Sequence, residues 1–560
     1  MKITGAAAIV KCLLEQNATT VFGYPGGQII DLFDALYCEP EITQILTAHE
    51  QGAAHAAEGF ARATGKVGVV IATSGPGATN LVTGIADAYL DSIPLVAITG
   101  NVPVPLLGRD SFQEVDIAGI TMPITKHNII VKNPDDLVNA VRRAFRIARS
   151  DRPGPVLVDV PKNVQQALVE YSPAPIAPPR VPPAQADIDD AAALVDGAQR
   201  PVIYAGGGCI SSDASAELLA FAERIKAPVA TSVMGLSAIP SSSRYCAGLI
   251  GMHGHASVAA LLGQSDLVIA VGARFSDRVA GDRSKFCRNA AILHIDIDAA
   301  EINKNVRSDA NIRGDIKSVL ARLTARVKPK HDDAMLLLNA ELKAAHALPP
   351  CRGKLSPRTI IKYVSDNAGD AVIATDVGQH QMWVAQGYEF RAPRTFITSG
   401  GLGTMGFGMG AAIGAAIGSG KRAVLFTGDG SFHMNLNELS TATRLGIPLT
   451  VFVFNNRTLG MVRQWQTLFY SGRYSSTDLD GNKTDFVKVA EAFGAKGFRL
   501  TCDGDVPDIA GKALTSDGVT VIDCVIDKDE FVLPMIPPGK SMTDIITDIS
   551  QTQTKKDKRK

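Results

Sequence analysis

Short runs of Val, Ile, Leu and Ala recur along the whole chain and alternate with stretches of helical pattern. Runs without polar alternation occupy residues 67–73, 95–99, 156–160, 202–204, 267–271, 292–295, 372–375, 423–426, 449–454 and 520–525. Strands buried on both faces have this pattern, whereas a strand with one face in water alternates polar and apolar residues. Helical segments between such strands predict doubly wound α/β domains with parallel sheets and right-handed crossovers.

The length of the chain and two changes in composition predict its division into domains. With 560 residues the chain is too long for a single hydrophobic core. Residues 172–183 hold six prolines, and such a run continues neither a helix nor a sheet. A charged helical stretch that ends at residues 348–350 separates the middle from the last third. We therefore expect three α/β domains, at residues 1–170, 185–335 and 355–530, followed by a tail at 531–560.

The charge balance and the cysteines narrow the class of protein. Lys+Arg and Asp+Glu both count 56, so the formal net charge is zero, whereas a general polyanion binder carries a basic excess. The basic residues at 555–560 are interpreted as a solvated tail, and no nucleic-acid partner is expected. The eight cysteines form no CxxC pair, and the chain begins with an amphipathic stretch at residues 6–14 instead of a signal peptide. Both features favour a cytoplasmic protein.

Glycines recur at every fourth position within the apolar window 400–420, at Gly406, Gly410, Gly414 and Gly418. On a helix they would share one face, and a membrane helix with a GxxxG face is one interpretation. The window is short for a membrane span, however, and a strand and a Gly-rich turn follow at once. We therefore expect a helix that packs closely on a sheet, and no membrane partner.

Polar residues follow two of the predicted strands in a pattern that suits a metal-bound phosphate. Gly428-Asp429-Gly430-Ser431 comes directly after the run 423–426, and Asn455-Asn456 comes directly after 449–454. Neighbouring parallel strands bring their carboxyl ends together, where open α/β sheets bind ligands. A carboxylate, an amide oxygen and a backbone carbonyl would suit Mg²⁺ shared with a diphosphate. The alternative, a turn Asp and a capping Asn pair, suits the first motif as well but explains the two together less well.

Glu50 stands between a predicted strand at residues 42–46 and a small-residue helix at 51–64. His49 and His55 are six positions apart, so they face different sides of a helix and do not form the HExxH zinc pattern. Considered alone, a glutamate at a helix N-terminus is more often a residue that interacts with the helix dipole or caps the helix.

These segments together resemble the large catalytic subunits of acetohydroxyacid synthases (acetolactate synthases), which are thiamine-diphosphate enzymes. The GDGS and NN pair resembles the thiamine-diphosphate signature, and His49-Glu50-Gln51-Gly52-Ala53 resembles the segment that carries its glutamate. Further similar stretches lie at residues 22–27, 111–114, 124–128, 152–162, 272–278, 461–465 and 533–537. The resemblance extends from about residue 3 to 545. Gln28 and Pro538 depart from the commoner family pattern, which leaves inhibitor sensitivity open.

The resemblance implies a set of site residues for thiamine diphosphate and Mg²⁺. Glu50 would bond N1′ of the aminopyrimidine, and the metal ligands would be Asp429, Asn456 and the backbone carbonyl of Thr458. The other cofactor contacts would be Gly378, Gln379, His380, Gly403, Met405, Gly428, Gly430, Ser431, Gly460 and Met461.

The family also binds FAD in its middle domain, largely in a structural role. The implied FAD contacts are Arg152, Gly206, Gly207, Met252, His253, Gly254, Gly272, Ala273, Arg274, Asp296 and Asp315. Arg278 would hold the carboxylate of the acceptor, Trp465 would shape the acceptor pocket, and Gln113 and Lys162 would line the way into the active site.

The implied function is that of an acetolactate synthase, which decarboxylates pyruvate and joins the two-carbon unit to pyruvate or 2-ketobutyrate. This is the first common step of branched-chain amino acid biosynthesis. A homodimer is the minimum expected assembly, a tetramer is possible, and a separate small regulatory subunit is expected. Two alternatives remain: another enzyme of the same fold, such as pyruvate oxidase or glyoxylate carboligase, and a nucleotide-binding regulatory module with an inactive site. Glyoxylate carboligase typically lacks the glutamate at the position of Glu50, and an inactive module need not keep Glu50, Asp429 and Asn456 together.

Overall fold

The structure is a computed structural model that describes residues 1–174, 185–349, 351 and 353–549. Most of the proline-rich linker, one proline of the 348–350 boundary and the basic residues 555–560 lie outside the described residues. Within the described residues there are three six-stranded parallel sheets and one two-stranded antiparallel ribbon. The predicted fold class, α/β with several doubly wound sheets, is confirmed.

The first sheet is formed by the N-terminal third of the chain. The strands are β1 (Lys2–Thr4), β2 (Thr20–Tyr24), β3 (Thr43–Leu46), β4 (Gly68–Ala72), β5 (Leu95–Asn101), β6 (His127–Ile130), β7 (Pro155–Pro161) and β8 (Leu168–Glu170). The helices are α1 (Gly5–Glu15), α2 (Ile30–Tyr37), α3 (Glu50–Thr64), α4 (Pro76–Thr79), α5 (Val82–Asp91), α6 (Ile117–Thr121), α7 (Leu137–Arg149) and α8 (Lys162–Gln166). The sheet order is β3-β2-β4-β5-β7-β6, and β1 pairs with β8 in the ribbon.

The second sheet lies in the middle of the chain. Its strands are β9 (Pro201–Ala205), β10 (Val229–Thr231), β11 (Cys246–Leu249), β12 (Leu267–Val271), β13 (Ala291–Asp296) and β14 (Ala310–Arg313). The helices are α9 (Gln185–Gly197), α10 (Gly207–Ser211), α11 (Ser215–Ile225), α12 (Ala256–Gly263), α13 (Asp277–Ala280), α14 (Ile316–Arg326) and α15 (Ala334–Ala345). The strand order is β11-β10-β9-β12-β13-β14.

The third sheet follows the boundary near residue 350. Its strands are β15 (Val372–Thr375), β16 (Phe396–Ile397), β17 (Ala423–Gly428), β18 (Leu449–Asn455), β19 (Lys496–Leu500) and β20 (Val519–Val525). The helices are α16 (Pro357–Asn367), α17 (Gln379–Gly387), α18 (Phe407–Ser419), α19 (Asp429–Asn435), α20 (Leu439–Arg444), α21 (Gly460–Phe469), α22 (Phe486–Ala492) and α23 (Val506–Thr515). The order is β16-β15-β17-β18-β20-β19.

The apolar runs of the sequence correspond to the central strands. Every residue of β4, β5, β7, β12, β15, β17 and β18 is buried, because helices cover both faces of each sheet. The strands that the pattern did not predict are β2 and the short or peripheral β1, β6, β8, β10, β11, β14, β16 and β19. Edge strands have one unpaired side and need less apolar sequence, so the pattern signals them weakly. β2 was missed although it is central, since it has only five residues and contains Gly23.

The glycine-rich helix α18 packs against α3 of the first domain. A Cβ built on Gly410 would lie 2.6 Å from the carbonyl oxygen of Gly52, and one on Gly414 would overlap the carbonyl oxygen of Ala56. The two helix backbones therefore approach each other more closely than any side chain at these positions allows. Within the described residues, no helix is long and apolar enough to cross a membrane. The close packing expected of this helix is present, but the prediction that its glycine face packs on a sheet is wrong, because that face lies against α3.

In each of the three sheets, the strands that follow one central strand in sequence lie on both sides of it, so that the strand order reverses in the interior of the sheet. The reversal lies between β2 and β4 in the first sheet, between β9 and β12 in the second, and between β15 and β17 in the third. Open α/β sheets bind ligands in the crevice that such a reversal opens at the carboxyl ends of the strands. The fold therefore offers three crevices.

Candidate active site

One cavity of about 2190 Å³ joins the crevices of the second and third sheets. Thirteen of the predicted cofactor and metal residues that line it follow strands of the third sheet: Gly378, Gln379, His380, Gly403, Met405, Gly428, Asp429, Gly430, Ser431, Asn456, Thr458, Gly460 and Met461. Nine belong to the second domain: Gly206, Gly207, Met252, His253, Gly272, Ala273, Arg274, Asp296 and Asp315. Arg152 of the first domain, Arg278 and Trp465 also line it. Gly254 does not, and its backbone N–H instead donates to the carbonyl oxygen of Gly251.

Asp429 and Asn456 meet at the ends of two paired strands. Gly428 is in register with Phe454 in the β17–β18 pair, so the residues that follow each strand come together. Both side chains are buried, and the backbone N–H of Thr458 donates to Oδ1 of Asn456 at 3.2 Å. Burial, helped by the nearby charge of Asp523 and opposed by backbone hydrogen bonds, raises the pKa of Asp429 to about 7. A bound cation would offset the cost of this buried carboxylate.

Asp429, Asn456 and Thr458 form one end of the cavity, called here the Asp429 corner. The oxygen atoms in this corner suit a hard divalent cation. Within the described residues, no group of three or more His, Cys, Asp or Glu side chains is placed to hold a metal. A cation at Asp429 would therefore depend on amide and carbonyl oxygens as well, which is the ligand set that Mg²⁺ accepts. A Cβ on Gly460 would lie 2.7 Å from Nδ2 of Asn456, so only glycine leaves this corner open.

The N-terminus of α17 forms the opposite wall of the corner. Gln379 donates to Oε1 of Gln464 at 3.0 Å and to the carbonyl of Glu530 at 2.9 Å, which fixes its amide. His380 is buried, burial lowers its pKa to about 3, and its Nε2 has no hydrogen-bond partner among the described residues. A neutral histidine with a free ring nitrogen beside the Gly428 turn fits an anionic ligand that can form a hydrogen bond.

Gly403 and Met405 lie on the loop between β16 and α18. The first domain holds this loop, because Asp87 of α5 accepts hydrogen bonds from the hydroxyls of Ser399 and Thr404, the latter at 2.9 Å. The sequence pattern did not point to Asp87, since the contact joins segments more than 300 positions apart.

Two further residues of the first domain, Arg62 and Asp91, help Asp87 to hold the loop between β16 and α18. Asp91 accepts from the backbone N–H of Gly400 at 2.9 Å, and Arg62 donates to Asp91 at 2.8 Å and to Asp87 at 3.3 Å. Burial raises the pKa of Asp91, and the Arg62 guanidinium opposes that rise. Arg62 and Asp91 line the cavity, but neither belongs to a local motif from which the sequence could have identified them.

The part of the cavity that lies in the second domain, called here its second arm, is located at the carboxyl ends of β9 and β12. A Cβ on Gly208 would lie 2.6 Å from the Cα of Gly272, and one on Gly206 would lie 2.5 Å from the Cα of Ala273. The two turns therefore pack backbone against backbone at the reversal point of the sheet. This leaves room for an extended ligand to lie along the main chain.

The walls of this arm hold several polar groups. Asp296 ends β13, and burial raises its pKa to about 6. His253 is buried with Nδ1 unpartnered among the described residues, and burial lowers its pKa to about 4. Arg152 donates to Ser92 at 2.7 Å and pairs with Glu301 at 3.0 Å across the domain boundary. Glu301 was not among the predicted residues.

Arg278 and Trp465 meet where the cavity opens. The Arg278 guanidinium lies 5.7 Å from the centre of the Trp465 ring, and its Nη1 lies 3.3 Å from Sδ of Met252. The C-terminal segment packs beside them, with the backbone N–H of Ile536 donating to the carbonyl of Met252 at 2.7 Å. Pro538, two residues further on, is exposed.

The remaining predicted residues lie in the crevice of the first sheet. Asn80 donates to Oε2 of Glu50 at 2.9 Å, Lys162 donates to the carbonyl of Gly27 at 2.9 Å, and Gln113 packs against Gly75 with a left-handed φ of 60°. Of the residues that the structure describes, neither Glu50 nor Gln113 nor Lys162 lines the large cavity. One chain therefore carries two separate groups of predicted catalytic residues, and Glu50 is only half-buried.

Family models of known proteins match each third of the chain. Residues 3–120 match the N-terminal TPP binding domain of thiamine pyrophosphate enzymes, residues 188–323 match the central domain, and residues 376–524 match the C-terminal TPP binding domain. Together with the two crevices and the Asp429 corner, these matches define a thiamine pyrophosphate enzyme.

The most similar relatives define the family within this class. The acetolactate synthase large subunit of Corynebacterium glutamicum is 47% identical over 97% of this chain and 90% of its own length. A probable acetolactate synthase large subunit of Methanocaldococcus jannaschii is 45% identical over 97% and 95%, and an acetolactate synthase of Mycobacterium bovis is 45% identical over 97% and 91%. The chain belongs to the acetolactate synthase large-subunit family. The predicted family, enzyme class and thiamine pyrophosphate dependence are confirmed.

Proposed function

We propose that this chain makes acetolactate from two molecules of pyruvate, or 2-aceto-2-hydroxybutyrate from pyruvate and 2-ketobutyrate, in active sites shared between two copies. One observation carries the shared site. The Glu50 group and the Asp429 group each lie at the reversal point of a sheet, yet they occupy separate crevices of one chain. A second copy would bring the first crevice of one protomer to the third crevice of the other, as in a symmetric dimer.

The Asp429 corner would hold Mg²⁺ and the diphosphate of thiamine diphosphate. Asp429, the amide oxygen of Asn456 and the carbonyl of Thr458 are the proposed metal ligands. The buried Asp429 carboxylate, which accepts backbone hydrogen bonds but has no salt bridge within the described residues, and the space kept by Gly460 support this assignment. Gln379 and the other cofactor residues of the third domain, apart from Gly403 and Met405, would surround the diphosphate, where the N-termini of α17 and α19 offer backbone N–H groups.

Glu50 would exchange a proton with N1′ of the aminopyrimidine. Asn80 donates to one oxygen of this carboxylate, and the other oxygen accepts no hydrogen bond from the described part of the chain. Gly403 and Met405, on the loop anchored by Asp87, would fix the ring. When bound, thiamine diphosphate supplies the electron sink for loss of CO₂ and for formation of the new carbon–carbon bond.

Arg278 would bind and orient the carboxylate of the acceptor keto acid. A guanidinium suits a planar carboxylate, and stacking over Trp465 limits the directions in which it can point. Trp465 would set the width of the pocket for the acceptor. Gln113 and Lys162 of the partner's first crevice would close the opposite side.

The second arm of the cavity would hold FAD. The backbone approach of the Gly206 and Gly272 turns supports this, as do the free Nδ1 of His253 and the Asp296 carboxylate at a strand end. The other residues proposed to contact FAD are Arg152, Gly207, Met252, Gly254, Ala273, Arg274 and Asp315. Gly254 has the weakest support, because it does not line the cavity.

The proposal also includes the domain boundaries, a regulatory subunit and the location in the cell. We infer domains at residues 1–170, 185–335 and 355–530 with a tail at 531–560, since each sheet lies within one of these ranges. A separate small regulatory subunit is proposed, because the relatives are named large subunits. A cytoplasmic location is proposed from the scattered cysteines, all eight of which are free.

Mixing two inactive variants tests the shared site. Glu50→Ala and Asp429→Ala are purified separately, mixed under conditions that exchange subunits, and assayed for acetolactate from pyruvate without a redox dye. Random pairing should restore about a quarter of the wild-type activity, because each hybrid dimer contains one site with both residues intact. No recovery in hybrids that have demonstrably formed would mean that Glu50 and Asp429 do not share a site across the interface.

The product distinguishes the proposed reaction from its alternative within the same fold. Acetolactate that depends on added thiamine diphosphate and Mg²⁺ supports the synthase. Acetate, acetaldehyde or peroxide in its place would identify an oxidase or a decarboxylase.

A further inference from the structure

The segment that carries Glu50 is held by a carboxylate of the third domain. The short connection between β3 and α3 includes Ala48 and His49, whose backbone N–H groups lie outside both elements. Ala48 donates to Oε2 of Glu438 at 3.2 Å, and His49 donates to Oε1 of Glu438 at 3.0 Å. One carboxylate thus accepts two consecutive backbone N–H groups immediately before Glu50, across a domain boundary.

The surroundings of Glu438 fix its carboxylate in this position. Its side chain is fully buried, and the Thr441 hydroxyl donates to Oε2 at 2.6 Å. The carboxylate lies against the Cα of Gly52, where a larger residue would displace it. Burial raises the pKa of Glu438, while the hydrogen bonds from Thr441, Ala48 and His49 lower it.

The same segment of chain also leads back to the metal corner. Helix α19 begins at Asp429, and the turn that follows it ends at Glu438. The carboxylate that positions the Glu50 segment is therefore attached to the element that begins the chain's own proposed metal site.

We propose that Glu438 is a positioning residue for Glu50, and that it sets the orientation from which Glu50 reaches the cofactor of the partner subunit. This inference rests on the proposed role of Glu50. The reach of Glu50 depends on the path of residues 46–51, since among the described residues only Asn80 donates a hydrogen bond to its side chain. Pairing backbone N–H groups with a buried carboxylate restricts that path more strongly than contact with water would.

The experiment compares variants in the folded protein with and without cofactor. Glu438→Gln keeps the shape of the side chain but places its amide N–H against the backbone N–H of Ala48 or His49. Glu438→Asp keeps the charge, but its shorter side chain reaches these N–H groups less well. Ser440→Ala, on an exposed residue two positions away, is the matched control. Glu50→Gln reports on the proposed function itself.

The first readout uses the protein without cofactor. Amide hydrogen exchange at residues 48 and 49 should accelerate by about tenfold in Glu438→Gln, the factor that corresponds to losing one hydrogen bond to a charged group. Glu438→Asp should shift exchange in the same direction, and Ser440→Ala should leave it unchanged. Unaltered exchange in both Glu438 variants would overturn the inference.

The second readout uses the loaded enzyme. Exchange of the thiazolium C2 proton should slow by about tenfold in Glu438→Gln, while the affinity for thiamine diphosphate changes by less than about threefold. If Glu50→Gln slows C2 exchange and the Glu438 variants do not, the positioning role is wrong and the role of Glu50 stands. If Glu50→Gln also leaves C2 exchange unchanged, the proposed function of Glu50 fails first.

Discussion

Replacing Gly414 with alanine tests how closely α18 and α3 must pack. A Cβ at this position would overlap the carbonyl oxygen of Ala56 and lie 2.6 Å from its carbonyl carbon. Since non-bonded atoms pack at about 3.5 Å, the helices would have to separate by roughly 1 Å. Overpacking of this kind costs about 1–3 kcal/mol, whereas alanine gains about 1 kcal/mol of helix propensity over glycine. We expect a net loss of up to about 2 kcal/mol of stability.

The assay is the melting temperature of the variant beside that of Gly263→Ala. Gly263 is the last residue of α12, and a Cβ there would meet nothing within 4 Å, so this control should melt at or slightly above the wild-type temperature. Gly414→Ala should melt a few degrees lower. Its kcat should also fall, because α3 begins at Glu50 and moves when the helices separate. Equal melting temperatures for the two variants would refute the packing argument.

Three further outcomes follow from the site and the core. Asp429→Ala should weaken Mg²⁺-dependent binding of thiamine diphosphate by at least about a hundredfold, measured by titration, and full affinity would remove the metal assignment. Arg278→Lys should raise KM for the acceptor keto acid by about tenfold or more, since an ammonium cannot form the paired contacts of a guanidinium, and an unchanged KM would contradict that role. Burial raises the pKa of Asp159 to about 6 from an ordinary 3.8, so its stabilising contribution is present below pH 4 and is lost as the pH rises through 6. The stability of Asp159→Asn relative to the wild type should therefore rise by up to about 3 kcal/mol between pH 4 and pH 8, measured in thermal melts. If the stabilities of the two proteins change with pH in parallel, the pKa of Asp159 is not raised.

Local pattern was sufficient for the buried strands and for the Asp429 corner. Runs buried on both faces have few alternatives to a central strand, and the polar residues directly after β17 and β18 must meet because paired parallel strands end together. The spacing of glycines on α18 similarly predicted close packing, although with a sheet as the partner. It could not identify the partner, which the structure shows to be α3.

The sequence was less informative about which residues form the site. Arg62, Asp87, Asp91 and Glu301 contribute to the cavity or hold its loops without belonging to a recognisable motif. Asp87, Asp91 and Glu301 each bond to a residue of another domain, and Arg62 holds Asp87 and Asp91 in place. A sequence pattern records neighbours along the chain, not across an interface of this kind.

The sequence by itself determined the α/β class, the positions of most central strands and the polar turns that end them, because these depend on neighbours within a few residues. Only the tertiary structure decided which of these turns meet. It joined the crevices of the second and third sheets into one cavity and left Glu50, Gln113 and Lys162 in another crevice. It also brought Glu438 against Ala48 and His49, 390 and 389 positions away. Such contacts follow from how whole domains pack their faces together, a property that no local stretch of sequence contains.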